Sequence, residues 1–280
     1  MLIADAQVHI WGANTPERPW PARAEPHRET ALGKQELLGE MDKAGVDRVV
    51  IVPPSWEGDR NDVATDAAKS HPNRFAVMGR FDPEAPGAKD KIAGWKKQPG
   101  MLGMRFTFHT PVLRQPLLDG KFDWVWGEME KAGIPAMVLF HHEYMHLADK
   151  VAERYPGLRL VLDHLGLKSG KDVTEASNFA TLDNVLALAK RPNVAAKVTA
   201  MPCYADDKKT YPFKSVHPHI KRVFEAFGPK RTFWGTDISR LPCSYRQGVT
   251  MFTEEMPWLK GQDLESVMGR GVCEWLGWKI

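Results

Sequence analysis

Cysteine is scarce in this chain: Cys203, Cys243 and Cys273 are the three in 280 residues, far apart and with no C-x-x-C pair. An odd, scattered set argues against a disulfide framework and against a thiolate metal site, and it fits a reducing compartment. Long apolar runs are missing as well. No stretch approaches the roughly 20 residues that a membrane-spanning helix needs. The N-terminus shows no basic segment followed by an apolar run of signal-peptide length, because Asp5 interrupts what apolar run there is. A cytoplasmic protein is expected. Charge of one sign is lacking too: the formal net charge is +3 and no like-charged block exceeds a few residues, so neither nucleic acid nor membrane is expected as a partner. The densest basic stretch, 89–97, is broken by Asp90 and reads as a solvated helix face. No G-x-G-x-x-G follows the first apolar segment, where Trp11-Gly12-Ala13-Asn14 stands, so a doubly wound dinucleotide fold has no phosphate turn.

What is present is the composition of a globular protein, 43% hydrophobic and 26% charged, at a length that suits two ordinary domains or one closed α/β barrel. A phrase recurs along it: an amphipathic helical stretch, a Gly, Pro or Asn stop, then a short hydrophobic run. It runs through Lys43-Ala-Gly-Val-Asp-Arg-Val-Val-Ile-Val52, Lys131-Ala-Gly-Ile-Pro-Ala-Met-Val-Leu-Phe140 and Tyr155-Pro-Gly-Leu-Arg-Leu-Val-Leu-Asp-His164, with weaker copies from Arg191 and Gly228. Gly after a helix supplies a left-handed cap, and the runs that follow suit strands buried on both faces. The pattern predicts strands near 2–9, 48–53, 74–79, 102–107, 135–140, 158–163, 193–198 and 231–236. Helices are predicted near 34–44, 61–70, 88–95, 122–132, 145–155, 180–190, 216–227 and 263–275. Eight alternating units imply parallel strands with helical crossovers and close most naturally into a (β/α)8 TIM barrel. No linker marks a second domain, so residues 1–280 are read as one. Long loops are expected after strands 1, 6 and 8, at 11–33, 168–181 and 238–260. The first, with Pro16, Pro19, Pro21, Pro26 and Trp20, reads as a stiff loop across the barrel mouth.

In a parallel barrel the strands' C-terminal ends carry the chemistry. Period-2 alternation puts Asp5, Gln7 and His9 on one face of strand 1, polar groups that a buried strand would not present inward without use. A lone histidine is more often simply satisfied in a core. Strand 6, however, ends with Leu160, Leu162 and His164 on one face, and strand 8 with Phe233, Gly235 and Asp237. Asp163 is then expected to point away and bond a neighbouring strand or loop. Strand 4 presents Arg105 with Thr107, and strand 7 presents Lys197 with Thr199. Two cations aimed into one mouth suggest an anionic small-molecule substrate, most simply a carboxylate; the plainer reading is that they only neutralise nearby acids. Either His141 or His142 faces inward, depending on a one-residue register. Ser55, after strand 2, is a candidate hydrogen-bond donor. The other histidines, His109 among them, have no assignable partner. Trp258, Trp275 and Trp278 read mainly as core, and a homo-oligomer is left open.

These residues carry a resemblance. Asp5-Ala-Gln-Val-His-Ile-Trp11, Val161-Leu-Asp-His-Leu-Gly166 and Trp234-Gly-Thr-Asp237, in that order, resemble the amidohydrolase superfamily, and most nearly its amidohydrolase-2 group with the sugar-lactone and 2-pyrone-4,6-dicarboxylate lactonases. Gly103-Met-Arg-Phe-Thr-Phe108, the Lys197 strand and the closing Gly269-Arg-Gly-Val-Cys-Glu-Trp-Leu-Gly-Trp278 are similar to that group too. One departure matters: the superfamily's first-strand His-x-His is here Gln7-x-His9. A glutamine amide is a poor transition-metal ligand, and no lysine closes strand 4 to form a bridging carbamate, so a binuclear centre is not expected. The resemblance implies a lactonase that works without metal. A single divalent ion, Zn or Mn, held by His9, His141 and Asp237 is the alternative.

The expected activity is hydrolysis of a carboxylated or sugar-derived lactone by directly activated water. Asp237 is the expected general base, His164 and His9 with the Gln7 amide hold the oxyanion, and Arg105, Lys197 and Ser55 bind substrate. The alternatives are a metal-dependent decarboxylase or hydratase of an unsaturated or aromatic carboxylate, and a barrel that has lost catalysis and only binds.

Overall fold

In the computed structural model, which describes residues 1–20, 28, 30–207 and 210–280, eight strands form one sheet in chain order, each parallel to the next. They are β1 Ala4–Val8, β2 Arg48–Ile51, β3 Phe75–Arg80, β4 Met101–Thr107, β5 Ala136–Leu139, β6 Leu160–Leu162, β7 Val194–Thr199 and β8 Thr232–Gly235. All eight expected strands are present, and the chain forms a (β/α)8 barrel. Between them run α1 Lys34–Ala44, α2 Asp62–Ser70, α3 Ala88–Gly94, α4 Pro111–Leu118, α5 Asp123–Lys131, α6 Met145–Arg154, α7 Glu175–Phe179, α8 Asp183–Leu186, α9 His217–Phe227, α10 Tyr245–Thr253, α11 Gly261–Glu265 and α12 Gly271–Leu276. Among the described residues no helix is long and apolar enough to cross a membrane.

The repeated Lys-Ala-Gly phrase works as its chemistry predicts. α1 stops at Gly45, whose φ of +76° lets its amide turn back on the carbonyls of Asp42 and Met41. Two apolar layers follow from strand alternation. Residues such as Val49, Val77, Phe106, Leu160 and Val198 face the helices. Ala4, Val50, Met78, Val161, Ala195 and Phe233 fill the barrel interior.

The barrel's two ends are finished differently. At the N-terminal ends of the strands, Val272, Cys273 and Leu276 of α12 join the interior cluster, with Trp275 and Trp278 packed around it. Arg159, before β6, bonds the Trp275 carbonyl, and Arg48 of β2 donates to the Lys279 carbonyl at 2.6 Å, fixing this plug. Trp258 lies elsewhere, against Phe224 with ring centroids 5.1 Å apart. At the seam between β8 and β1, the Asp237 N–H donates to the Gln7 carbonyl at 2.9 Å. The Asp5 carboxylate completes the closure, accepting from the Thr236 N–H (2.9 Å), the Thr236 hydroxyl and the Tyr245 hydroxyl (2.9 Å).

Three of the connections differ from expectation. The 238–260 segment contains α10, whose N-terminus is a capping box between Ser244 and Gln247. The 168–181 segment contains α7, capped by Thr174 with Ser177. α4 lies between β4 and α5, started by the Thr110 cap with Pro111 in its first turn. The last expected helix, 263–275, is broken into α11, a π turn at Ser266–Arg270, and α12. In the first long loop, Thr15 and Arg18 pair as an isolated bridge, and Trp20 packs on Trp56 with centroids 5.4 Å apart. Pro21, Pro26 and His27 lie outside the described residues.

Candidate active site

The C-terminal strand ends surround a cavity of about 530 Å3 whose walls include Gln7, His9, Arg105, His141, His164 and Asp237. Regular alternation does not deliver them all. In β1 the pairing with β2 slips between Asp5 and Val8, a bulge in which Asp5 Oδ1 accepts the Gln7 N–H at 3.0 Å. Ala4 and Ala6 therefore take interior positions, Asp5 turns outward to Thr236 and Tyr245, and beyond the bulge Gln7 and His9 reach the cavity. The expectation that Asp5 shares their face is corrected by this slip.

β6 is corrected in the same way. Leu160 and Leu162 face the helices, and Val161 is interior. Asp163 continues the inner face, fully buried. His164 reaches the cavity only because its φ is +51°, with Leu165 at +52°; Asp237 stands at +50° after β8. Left-handed backbone costs a non-glycine residue about 1–2 kcal/mol, and such residues gather at functional sites. Asp163 does bond its neighbours, as expected, but it does so inside the barrel.

Its partners settle the fate of the expected cations. Lys197 is fully buried, with Nζ 2.6 Å from Asp163 Oδ1, bonded to Gln7 Oε1 and 3.3 Å from Met137 Sδ. Arg105 bonds Asp163 through Nε. Burial pushes the Asp163 carboxyl up, but the Arg105 and Lys197 charges outweigh it and hold it below its usual range. Burial also draws the Lys197 pKa down against the pull of Asp163. Lys197 does not line the cavity, which corrects its placement beside substrate; Arg105 and Ser55 do line it. His141 is the inward histidine. His142 is buried beneath it, bonded to Thr181 Oγ1 at 2.9 Å and the Leu165 carbonyl at 2.7 Å.

An ammonium has only protons to offer, so Lys197 fixes the Gln7 amide with Oε1 toward itself and the NH2 toward the histidines. Gln7 Nε2 then donates to His164 Nε2 at 2.8 Å and faces His9 Nε2 at 3.4 Å. His164 carries its proton on Nδ1, donating to Thr199 Oγ1 at 2.8 Å, and His9 donates Nδ1–H to the Val52 carbonyl at 2.6 Å. Burial lowers the His164 pKa to about 3, so the ring is neutral at ordinary pH. Both Nε2 atoms point toward Asp237: His9 Nε2 is 3.4 Å from Oδ1 and His164 Nε2 is 4.0 Å from Oδ2. A neutral His164 with its Nδ1–H committed has no proton for an oxyanion.

Sequence reasoning missed several lining residues. Arg80 ends β3 on the inner face two residues after interior Met78, a position that the same alternation would have found. Its Nε donates to the Pro53 carbonyl at 2.8 Å and its Nη1 to Thr107 Oγ1 at 2.9 Å; the Thr107 hydroxyl accepts from Arg105 as well. Burial and the neighbouring Arg105 charge pull the Arg80 pKa well down. Arg240, in the loop after β8, places Nη1 3.4 Å from Asp237 Oδ2 and bonds Ser169 from the loop after β6. Burial works against its charge, but Tyr204 and Asp237 raise its pKa overall. His109 faces His141 across 5.5 Å, and burial pulls its pKa down to about 4. His109 continues the alternation of Arg105 and Thr107 beyond β4, a signal the sequence did carry, whereas no periodicity marks Arg240 in the turn after β8.

The amidohydrolase family model matches residues 4–268, and the chain belongs to that family. It is 29% identical over 252 residues to the L-fucono-1,5-lactonase of Burkholderia ambifaria, covering 85% of this chain and 81% of that one. Among solved structures, an amidohydrolase from Burkholderia multivorans with bound zinc superposes with a TM-score of 0.80 at 19% identity over 99% of each chain. A putative 2-pyrone-4,6-dicarboxylic acid hydrolase from Pseudomonas putida gives 0.77 at 16% identity, over 100% of this chain and 98% of that one.

The zinc in that fold neighbour makes metal fit a question for this chain's own donors. Among the described residues, no three His, Cys, Asp or Glu side chains are grouped to hold a metal ion. The His164 Nε2 lone pair is occupied by the Gln7 N–H, and a cation between the imidazoles would meet that amide NH2 backed by the Lys197 ammonium. Of the expected alternative set, His9 and Asp237 stand 3.4 Å apart and His141 lines the same cavity.

Proposed function

We propose that this protein opens a carboxylated lactone by direct attack of water. The observation that carries this reading is the charge arrangement: two acceptors, Asp237 and His9 Nε2, converge at one wall beside His164, while Arg80 and Arg105 line the same cavity. Arg105 and Lys197 pair with the buried Asp163 carboxylate, and Arg80 lies within its electrostatic reach, so three cations gather around that acid on the cavity floor. A guanidinium stays protonated in proteins, so the floor favours an anionic ligand that supplies the missing charge. The L-fucono-1,5-lactonase likeness supports a cyclic ester as substrate, and the buried cations favour a carboxylated one over a neutral sugar lactone.

Water held by Asp237 and His9 attacks the ring carbonyl, and Asp237 takes one of its protons. Negative charge develops on the carbonyl oxygen beside Arg240, which Ser169 and Tyr204 hold in place. Collapse breaks the ring C–O bond, and the proton on Asp237 passes to the departing alkoxide. The product is a hydroxy acid, whose new carboxyl releases its proton to solvent.

Asp237→Asn tests the base. Asparagine tolerates the left-handed backbone, so the fold is kept, and kcat on a lactone carboxylate falls about 10²–10⁴-fold with an unchanged melting temperature. Near-normal turnover by this variant overturns the assignment. So does wild-type activity that disappears on chelation and returns with zinc or manganese.

A further inference from the structure

Away from the chain ends, the exposed large apolar side chains among the described residues all belong to α4: Val112 is 82% exposed, Leu113 42% and Leu118 54%. This helix is built inside out. Its buried side chain is Arg114, whose Nη1 donates to the Phe108 carbonyl at 3.0 Å and whose guanidinium lies 3.4 Å over the Tyr144 ring. An apolar cluster left facing water marks a surface that something covers. Beside Val112 and Leu113 opens a second cavity, of about 450 Å3, backed by Phe81 and Phe122. Its wall toward the catalytic cavity is Ser55, Arg80, Arg105 and Thr107, and the same four residues line both. The Thr107 hydroxyl ties the two guanidiniums together, while among the described residues neither Nη2 donates to a protein acceptor.

We infer that the second cavity is a substrate subsite for an apolar arm, aryl or branched alkyl, on the carbon that bears the substrate's carboxylate. This rests on the carboxylated-lactone reading above. A carboxylate on the Arg80–Arg105 pair sits on the partition between the two chambers. From that point the lactone ring extends toward Asp237, and a second substituent of the same carbon extends toward Phe81, Val112 and Leu113. Continuity with the catalytic cavity through charged, buried donors is what assigns the uncovered face of α4 to substrate.

Calorimetric titration with acetate and 3-phenylpropanoate tests this without turnover. The wild type binds 3-phenylpropanoate at least tenfold more tightly than acetate. Leu113→Asp, at a half-exposed position, brings that ratio below threefold, while Leu118→Asp, on the same helix but outside the cavity lining, keeps it. Equal binding of the two acids by the wild type overturns the subsite and leaves the carboxylate reading standing. Failure of both acids to bind overturns both. Light scattering that shows a wild-type dimer, with monomers in both variants and an unmoved affinity ratio, assigns α4 to a second copy of the chain and overturns the subsite.

Discussion

Gln7 determines what the histidines around it can do, and Lys197 determines which way Gln7 faces. Replacing Lys197 by Met removes the donor that orients the amide and leaves Asp163 with Arg105 as its ion-pair partner and Arg80 at longer range. Breaking a buried charge pair from one side costs about 3–5 kcal/mol, to be read from urea unfolding. His164 makes a separate prediction. Its folded pKa of about 3 lies below the ordinary histidine value of 6.5, so the unfolded chain takes up a proton that the native ring refuses. Its stability contribution is full above pH 6.5 and is lost as pH falls toward 3. Asp5 acts oppositely: burial raises its pKa from 3.8 to about 6, so its contribution is full below 3.8 and is lost as pH rises through 6. The stability difference between wild type and His164→Asn cancels the Asp5 part and shrinks as pH drops from 6.5 to 3. A difference that is flat with pH would show that the native ring titrates normally.

At the scale of elements, the site is made where strands stop being regular. The bulge in β1 and the left-handed His164 after β6 re-aim side chains that alternation would send elsewhere, and Ala200 and Asp237, after β7 and β8, take the same left-handed backbone. Gly166 serves the same turn: its φ is +68°, and a Cβ there would lie 2.3 Å from the Phe140 carbonyl oxygen. Gly166→Ala is expected to cost about 1–3 kcal/mol and to displace His164, lowering both the melting temperature and kcat. The strands themselves were legible because both layers of apolar contacts repeat with period two. Arg105, Gln7, His9, His164 and Asp237 were legible as strand-end residues. The inward face of Asp163 was not, because the left-handed His164 also reaches the cavity, so the register inferred backward from His164 put Leu160 and Leu162 inside in place of Val161 and Asp163. α10 and α7 carried readable capping boxes that the long-loop assignment passed over.

At the scale of the molecule, the barrel separates stability from chemistry. α12 and its tryptophans close the N-terminal end with apolar contacts, far along the strands from the catalytic groups. Leu276→Ala is expected to cost about 2–5 kcal/mol in denaturant unfolding while leaving KM and kcat near wild-type values. A large loss of kcat in the folded variant would contradict that division.

Composition and periodicity were enough to specify eight βα units, their order and the polar groups at their C-terminal ends, because strand burial and helix capping are local properties of the chain. Which charges remain for a ligand was decided only by contacts between strands distant in sequence. Lys197 and Arg105 look alike in an alternating pattern, yet Asp163 and Gln7 consume the first and leave part of the second facing the cavity. The tautomer of His164 follows from an amide whose direction is set by a lysine 190 residues away. A buried charge is defined by its partners, and partners across a barrel are a property of closure.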